Sequence, residues 1–135
     1  MDKINFTPLE NAINRLDEII ERYNRESYDD AIRDAMIQRF EFTYSLTLKF
    51  LTRFLKKVLP EMENSLTFNE IIRESNRFGL LKGNLENWTL YRNERNMTSH
   101  TYDVETAKSI VAVIFDFKEE VHFLLEQLKK KTDNG

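Results

Sequence analysis

The sequence predicts an all-α fold, an up-and-down four-helix bundle of four to five helices, and we expect two copies to form a two-fold dimer. The chain has only three glycines and two prolines among its 135 residues, so turns are few and the elements are long. Apolar residues recur at spacings of three and four, the period of one helix face. Thr, Asn or Asp precedes several of these runs as a helix N-cap. At this length, residues 1–135 should form a single domain.

The first predicted helix starts at Thr7. Threonine at the N-cap, Pro8 at the first helical position and Glu10 three residues after the cap form a capping box. A single apolar face follows at helical spacing, made of Leu9, Ile13, Leu16, Ile20 and Tyr23.

The second element, about residues 28–59, has two interpretations. Between Phe40 and Phe50, apolar and polar residues alternate strictly, which is typical of a half-buried β-strand. No second strand is predicted to pair with it, and the flanking segments are helical. We therefore predict one long helix, ended by Pro60. Because this helix would be apolar on several sides, it must be covered on several, by its own bundle or by a second subunit.

Three further helices complete the prediction. A capping box at Thr67 and Glu70 opens a short helix that stops at Gly79. Asn84 is the predicted N-cap of the fourth helix and Asp103 that of the last. The last helix has a long apolar seam and ends in Lys129, Lys130 and Lys131, which complement its C-terminal dipole.

Composition limits the function classes. A net charge of −3 argues against a surface that is basic throughout, although it leaves room for a small cationic cleft. Without cysteine there is no disulfide and no thiol catalysis. Two separated histidines predict no metal site, and we expect no cofactor. No apolar run is long enough for a membrane span, so we expect a cytoplasmic protein.

The chemistry-bearing residues concentrate in Arg92–Asp103. This segment contains Arg92, Arg95, Asn96, His100 and Tyr102. In a continuous helix, Arg95 and His100 would point about 140° apart, at about 100° per residue. If the helix ends near Met97, the turn that follows can bring the imidazole back toward the guanidinium.

This segment resembles the HEPN family, small helical bundles with the signature Arg, four residues, His. Arg95 and His100 match that spacing, Asn96 follows the Arg as it often does in the family, and Tyr102 matches the HepT-like branch. That branch has a Trp before Lys49, where this chain has Leu48, which we interpret as a packing change. The resemblance covers nearly the whole chain.

The resemblance implies a toxin–antitoxin pair with a minimal nucleotidyltransferase. It makes this chain the candidate metal-independent endoribonuclease, with Arg95 and His100 as catalytic residues and Asn96 and Arg92 as supporting residues. The partner would silence it by adenylylating Tyr102. Two alternatives remain: a non-catalytic substrate-binding subunit of a two-component nucleotidyltransferase, and a helical dimerisation module. RNA and a nucleotide are the candidate ligands.

General chemistry is compatible with the ribonuclease hypothesis. RNA carries its own nucleophile, the 2′-hydroxyl. Imidazole side chains exchange protons near neutral pH, and a guanidinium stabilises charge on phosphoryl oxygens. One Arg and one His make a sparse site, which a two-fold dimer would double.

Structural roles could also explain these residues. His100 could bond a backbone carbonyl at a helix junction, and Tyr102 could be a packing residue. Arg95 could pair with Glu94, Glu41 or Asp103. Trp88 is better explained as a core or dimer contact than as a base-stacking surface, and His122 as an ordinary helix-face residue.

Overall fold

The computed structural model describes residues 4–62 and 66–133, and within these ranges the chain is all-α, as predicted. The helices are α1 (Thr7–Arg25), α2 (Asp30–Val58), α3 (Phe68–Arg77), α4 (Leu85–Asn96) and α5 (Val104–Asp133). Two short 3₁₀ turns, Pro60–Met62 and Thr98–His100, follow α2 and α4. The two ends of the predicted 1–135 domain lie outside the described residues.

The predicted capping box at the start of α1 is wrong. Thr7 is already helical, and the N-cap position belongs to Phe6, whose side chain makes no capping hydrogen bond. The backbone N–H of Thr7 instead donates to the side-chain oxygen of Asn5, at 3.1 Å. An Asn two residues upstream therefore satisfies this N–H, and the helix begins one residue earlier than predicted. Pro8 lies in the first turn, where its missing N–H costs nothing.

The alternating segment of α2 is helical along its whole length. The hydroxyls of Thr43 and Thr47 are buried, and each donates to the carbonyl four residues earlier, at 2.7 and 2.8 Å. Phe42, which the strand interpretation placed on the same face as Phe40, is 60% exposed, whereas Phe40 is fully buried. The helical period of 3.6 residues thus places Phe40 and Phe42 on different faces, whereas the two-residue period of a strand would place them on the same face.

The remaining helix starts follow the sequence prediction. Thr67 and Glu70 form a reciprocal capping box at α3, and Asn84 forms one with Asn87 at α4. Gly79, at φ +76°, ends α3 in a left-handed conformation that suits glycine. At α5, the side chain of Asp103 accepts the N–H of Glu105 at 3.0 Å, as expected for a cap.

The core centres on the ring of Phe117 in α5. Its centroid lies 5.1 Å from Phe40 and 6.1 Å from Tyr44, both on α2. It also lies 6.1 Å from Trp88 and 5.4 Å from Tyr91, both on α4. Aromatic pairs at these separations add to the free energy gained by burial. One side chain of α5 therefore joins α2 to α4, the helix that leads into the candidate site.

A buried carboxylate fixes the start of α4. Glu120 of α5 accepts the backbone N–H groups of Lys82 and Gly83 at 2.7 and 2.8 Å. Burial raises the pKa of Glu120, and the two N–H groups partly oppose that rise because they favour the charged form. The buried indole nitrogen of Trp88 makes no hydrogen bond of normal geometry, but lies close enough to stabilise the carboxylate as well. A Cβ at residue 83 would meet Glu120 at 2.8 Å, so the contact requires glycine there.

Replacement of Glu120 by Gln should lower the free energy of unfolding by about 1–3 kcal/mol, because one backbone N–H would then face an amide NH₂ group. A carboxyl group whose pKa is raised on folding stabilises the fold most below its ordinary pKa of 4.5. That contribution is lost as pH rises through the folded-state pKa. Urea denaturation should therefore show that Glu120→Gln lowers the free energy of unfolding, relative to the wild type, by more at about pH 4 than at about pH 7.

The matched control is Glu119→Gln, which changes an exposed neighbour on the same helix. It should alter the free energy of unfolding by no more than about 0.5 kcal/mol at either pH. An equal deficit for the two variants, or a Glu120→Gln deficit that grows toward neutral pH, would contradict the role given to Glu120.

Candidate functional site

The candidate site lies where α4 ends and the chain turns toward α5. The N–H of Met97 donates to the carbonyl of Glu94 at 3.1 Å, and the N–H of His100 to that of Met97 at 2.9 Å. The hydroxyl of Thr98 donates to the carbonyl of Arg95 at 2.9 Å, which satisfies one of the last carbonyls of the helix. The helix therefore ends beside Met97, as the spacing of Arg95 and His100 required.

Arg95 forms an ion pair across the bundle. Its guanidinium lies 3.4 Å from the carboxylate of Glu41 on α2, and both side chains are a little over one-third exposed. Glu41 was one of three predicted partners, and the structure selects it. Because the pair is open to solvent, its net contribution to stability is small. The guanidinium is therefore held in position but remains accessible to a competing anion.

Arg92 is partly buried and packs against the start of α3. Its guanidinium stacks over the ring of Phe68, the first residue of α3, at 4.2 Å from the centroid. Burial raises the pKa of the Tyr44 hydroxyl to about 12, even though the positive charges of Arg92 and Arg95 act in the opposite direction. Tyr44 is therefore a neutral hydroxyl at physiological pH, close to two cations on the inner side of the site.

His100 and Tyr102 are directly joined. The Nδ1 atom of His100 and the hydroxyl of Tyr102 are 3.3 Å apart, and the rings meet edge to face with centroids 5.9 Å apart. His100 is exposed, and Tyr102 is 83% exposed. Tyr102 therefore does not pack into the core of the protomer, and His100 bonds this hydroxyl where the structural alternative expected a backbone carbonyl.

Among the described residues, the structure shows no side-chain hydrogen bond between Arg95 and His100 and none for Asn96. Arg95 and His100 lie on adjacent segments, but no hydrogen bond joins their side chains in the described part of the chain. Asn96 is exposed, and its side chain makes no hydrogen bond with another described residue. The supporting role of Asn96 and the catalytic roles of Arg95 and His100 stay predictions.

Two other residues have structural explanations. Trp88 is fully buried beside Tyr44 and Phe117, which confirms it as a core residue. His122 pairs with Asp17 of α1 at 2.7 Å and so links α5 to α1. No three His, Cys, Asp or Glu side chains cluster as metal ligands within residues 4–62 and 66–133. Over the same ranges, no helix is both long and apolar enough to cross a membrane.

Sequence reasoning missed the contact of Glu120 with the turn before α4. A signal was present, because Glu120 falls between Phe117 and Leu124 on the apolar stripe of α5. A lone carboxylate on a buried face needs a hydrogen-bond donor, and backbone N–H groups are as suitable as a cationic side chain. The identity of that donor could not be read from the pattern.

Comparisons with known proteins agree with this architecture. A "Probable ribonuclease HepT" from Haemophilus influenzae is 38% identical over an alignment that covers 96% of this chain and 95% of that protein. A solved Haemophilus influenzae structure, described as the fold of a substrate binding domain of a nucleotidyltransferase, matches with a TM-score of 0.84 and 36% identity over 93% of this chain and 99% of that one.

A crystal structure from Thermus thermophilus matches with a TM-score of 0.70 and 26% identity, covering 90% of this chain and 98% of that one. The family model "Nucleotidyltransferase substrate binding protein like" matches residues 4–130, almost the entire chain. The chain therefore belongs to the nucleotidyltransferase substrate-binding-like family.

Proposed function

We propose that this chain is a toxin-type, metal-independent endoribonuclease subunit, silenced when a minimal nucleotidyltransferase adenylylates Tyr102. The observation that carries the proposal is the 3.3 Å contact between Tyr102 and His100. It links the residue to be modified with the residue proposed to transfer protons. Both side chains are exposed on the turn that follows Arg95.

Cleavage would use the RNA strand's own nucleophile. The 2′-oxygen attacks the adjacent phosphorus, and the bond from that phosphorus to the 5′-oxygen breaks. An imidazole accepts the 2′ proton, and a second proton donor protonates the leaving oxygen. Arg95 would leave Glu41 and stabilise the negative charge that grows on the phosphoryl oxygens. The products are a 2′,3′-cyclic phosphate and a free 5′-hydroxyl, with no water or metal ion consumed.

A two-fold homodimer would supply the second imidazole and a second guanidinium. Large apolar side chains are exposed around the site, as expected for an interface between copies. Leu90, Met97 and Val104 are each 40–55% exposed and lie on α4, just after it and at the start of α5. Phe42 is exposed on α2, one residue from the partner of Arg95.

Silencing would act directly on this cleft. The hydroxyl of Tyr102 attacks the α-phosphorus of ATP, the proton of the hydroxyl is released, and pyrophosphate leaves. The adenylyl group then occupies the position next to His100 and brings a phosphate that competes for Arg95 and Arg92. Exposure of Tyr102 supports this step, since the transferase must reach its oxygen without unfolding the turn.

The second candidate is a non-catalytic subunit that presents a substrate to the transferase. The family description and the description of the solved Haemophilus influenzae structure favour it. The name of the other relative, a probable ribonuclease, favours the first candidate. Both candidates predict a stable complex with a nucleotidyltransferase, but only the first predicts RNA cleavage.

Expression of the chain alone in a bacterial host should slow growth, and the purified protein should cut RNA in the presence of EDTA. His100→Ala and Arg95→Ala should each reduce cleavage by about 100-fold or more, because they remove the proton-transfer group and the phosphate ligand. The measurement is cleavage of total RNA, resolved on a gel, together with growth curves.

The matched control is His122→Ala, which removes the other histidine at its contact with Asp17, on α5 away from the turn. It should retain cleavage and toxicity. Equal activity in His100→Ala and His122→Ala, or no cleavage by any of the proteins, would reject the ribonuclease and leave the substrate-binding subunit.

Co-expression with the cognate nucleotidyltransferase should add one or more adenylyl groups to Tyr102, detectable by mass spectrometry of the intact chain and its peptides. Tyr102→Phe should stay unmodified, because it lacks the attacking oxygen. Tyr28→Phe is the control, since Tyr28 is equally exposed at 82%. Modification of Tyr28 in place of Tyr102, or none at all, would contradict the silencing step.

A further inference from the structure

The second half of α2 has an unusual charge distribution. From Phe42 to Leu59 the chain contains no Asp or Glu, although the net charge of the protein is −3. The same stretch contains Lys49, Arg53, Lys56 and Lys57. This is a local concentration of positive charge on a protein that is acidic overall.

Lys49, Arg53 and Lys56 are exposed and share one face of the helix. They span about 10 Å along the helix axis, at about 1.5 Å per residue. None of the three forms an ion pair with a residue in the described ranges, whereas the exposed Arg22 and Arg25 of α1 each do. With Ser45, Leu48 and Thr52 they line a shallow open groove.

The helix dipole does not account for the positive charges of Lys49 and Arg53. Lys56 and Lys57 lie in the last turn of α2, where a positive charge offsets the partial negative charge of the helix end. Lys49 and Arg53 lie before that turn, and the dipole effect falls off within one turn. Arg53 is also held in place, with its guanidinium 5.0 Å from the centroid of the Phe50 ring.

Lys49 and Arg53 belong to a ridge of side chains that extends along α2 to the candidate site. Glu41, Ser45, Lys49 and Arg53 follow one another at intervals of four, so they form a single ridge along α2. Glu41, at one end of the ridge, pairs with Arg95. The ridge runs about 18 Å from that ion pair to Arg53. An extended strand with a phosphate at Arg95 could therefore continue along it.

We propose that this ridge binds the ribose-phosphate backbone of the RNA strand on one side of the bond that is cut. The inference rests on the proposed function and assigns the substrate path to Ser45, Lys49 and Arg53. Lys, Arg and Ser are the side chains that contact nucleic-acid phosphates. A positively charged groove that follows the backbone is the usual way to hold a single strand.

An acidic protein partner fits the ridge less well. Protein interfaces are depleted in Lys at their centre and are anchored by large apolar residues. The large exposed apolar residues of α2 are Phe42 and Val58, one at each end of the stretch. Between them the exposed positions are cationic or hydroxyl-bearing, which suits a phosphate backbone.

The test measures binding of a fluorescein-labelled single-stranded RNA by anisotropy over a series of salt concentrations, in protein carrying His100→Ala so that the RNA stays intact. Adding Lys49→Gln and Arg53→Gln should weaken binding about tenfold and reduce the slope of log K against log salt by about 1.4, or about 0.7 for each lost phosphate contact. The same double change in otherwise wild-type protein should raise KM for cleavage more than it lowers kcat.

The control is Arg22→Gln with Arg25→Gln, which removes the same charge from α1, where both arginines are exposed and ion-paired. It should leave the salt slope unchanged. If wild-type protein cleaves RNA but the α2 variant keeps the parental slope, the ridge proposal fails and the proposed function stands. If the α2 variant loses the nucleotidyltransferase and keeps RNA affinity, the ridge is a protein interface and the proposal is overturned. If the parent neither binds nor cleaves RNA, both fail.

Discussion

The hydrogen bonds from the backbone of Lys82 and Gly83 to Glu120 hold the turn before the fourth helix against the fifth helix. The far end of that helix carries Arg95, and the 3₁₀ turn beyond it carries His100. A shift in the start of α4 would therefore move the guanidinium relative to its partner on α2. The aromatic contacts of Phe117 fix the same three helices from the apolar side. Burying a carboxylate is costly, and the two N–H groups make this one tolerable.

The site itself is built differently from the core beneath it. Its proposed working groups are exposed and held by single contacts: Arg95 by Glu41, and His100 by Tyr102. Such contacts in water are weak, so an incoming phosphate can replace them at small cost. Tyr44 is buried close to the site, and burial raises the pKa of its hydroxyl although Arg92 and Arg95 act in the opposite direction. A packed helical base that carries exchangeable surface contacts suits the proposed site, which would bind RNA, react and be switched off.

Much of the fold follows from local sequence signals. The capping residues Thr67 and Asn84 set the starts of two helices, as predicted, because a cap acts through backbone groups three residues away. The predicted first cap is wrong because Asn5, and not Glu10, accepts the N–H of Thr7, while the N–H of Glu10 donates to the carbonyl of Phe6. The strand-like alternation in α2 forms a helix, as predicted, and the described residues contain no second strand that could pair with it.

The candidate site was predictable in part. The sequence placed Arg95 beside a helix end and named Glu41 among its partners, and both predictions are confirmed. The bond between His100 and Tyr102 was not predicted, because it depends on the path of the turn between two helices. The role of Glu120 was missed for a similar reason, since its partners are backbone groups 37 and 38 residues away. A backbone N–H group is present in almost every residue, so residue types alone do not reveal which one a side chain will bind.

The proposed ribonuclease would cut RNA through the strand's own 2′-hydroxyl, with Arg95 and His100 at the bond. The most direct measurement compares a short RNA with the same strand carrying a single 2′-deoxy nucleotide at the cleavage position, and identifies the new ends by mass spectrometry. The RNA should yield a 2′,3′-cyclic phosphate, and the substituted strand should bind equally well but not be cut at the 2′-deoxy position. Equal cleavage of both strands, or 5′-phosphate ends, would contradict this mechanism.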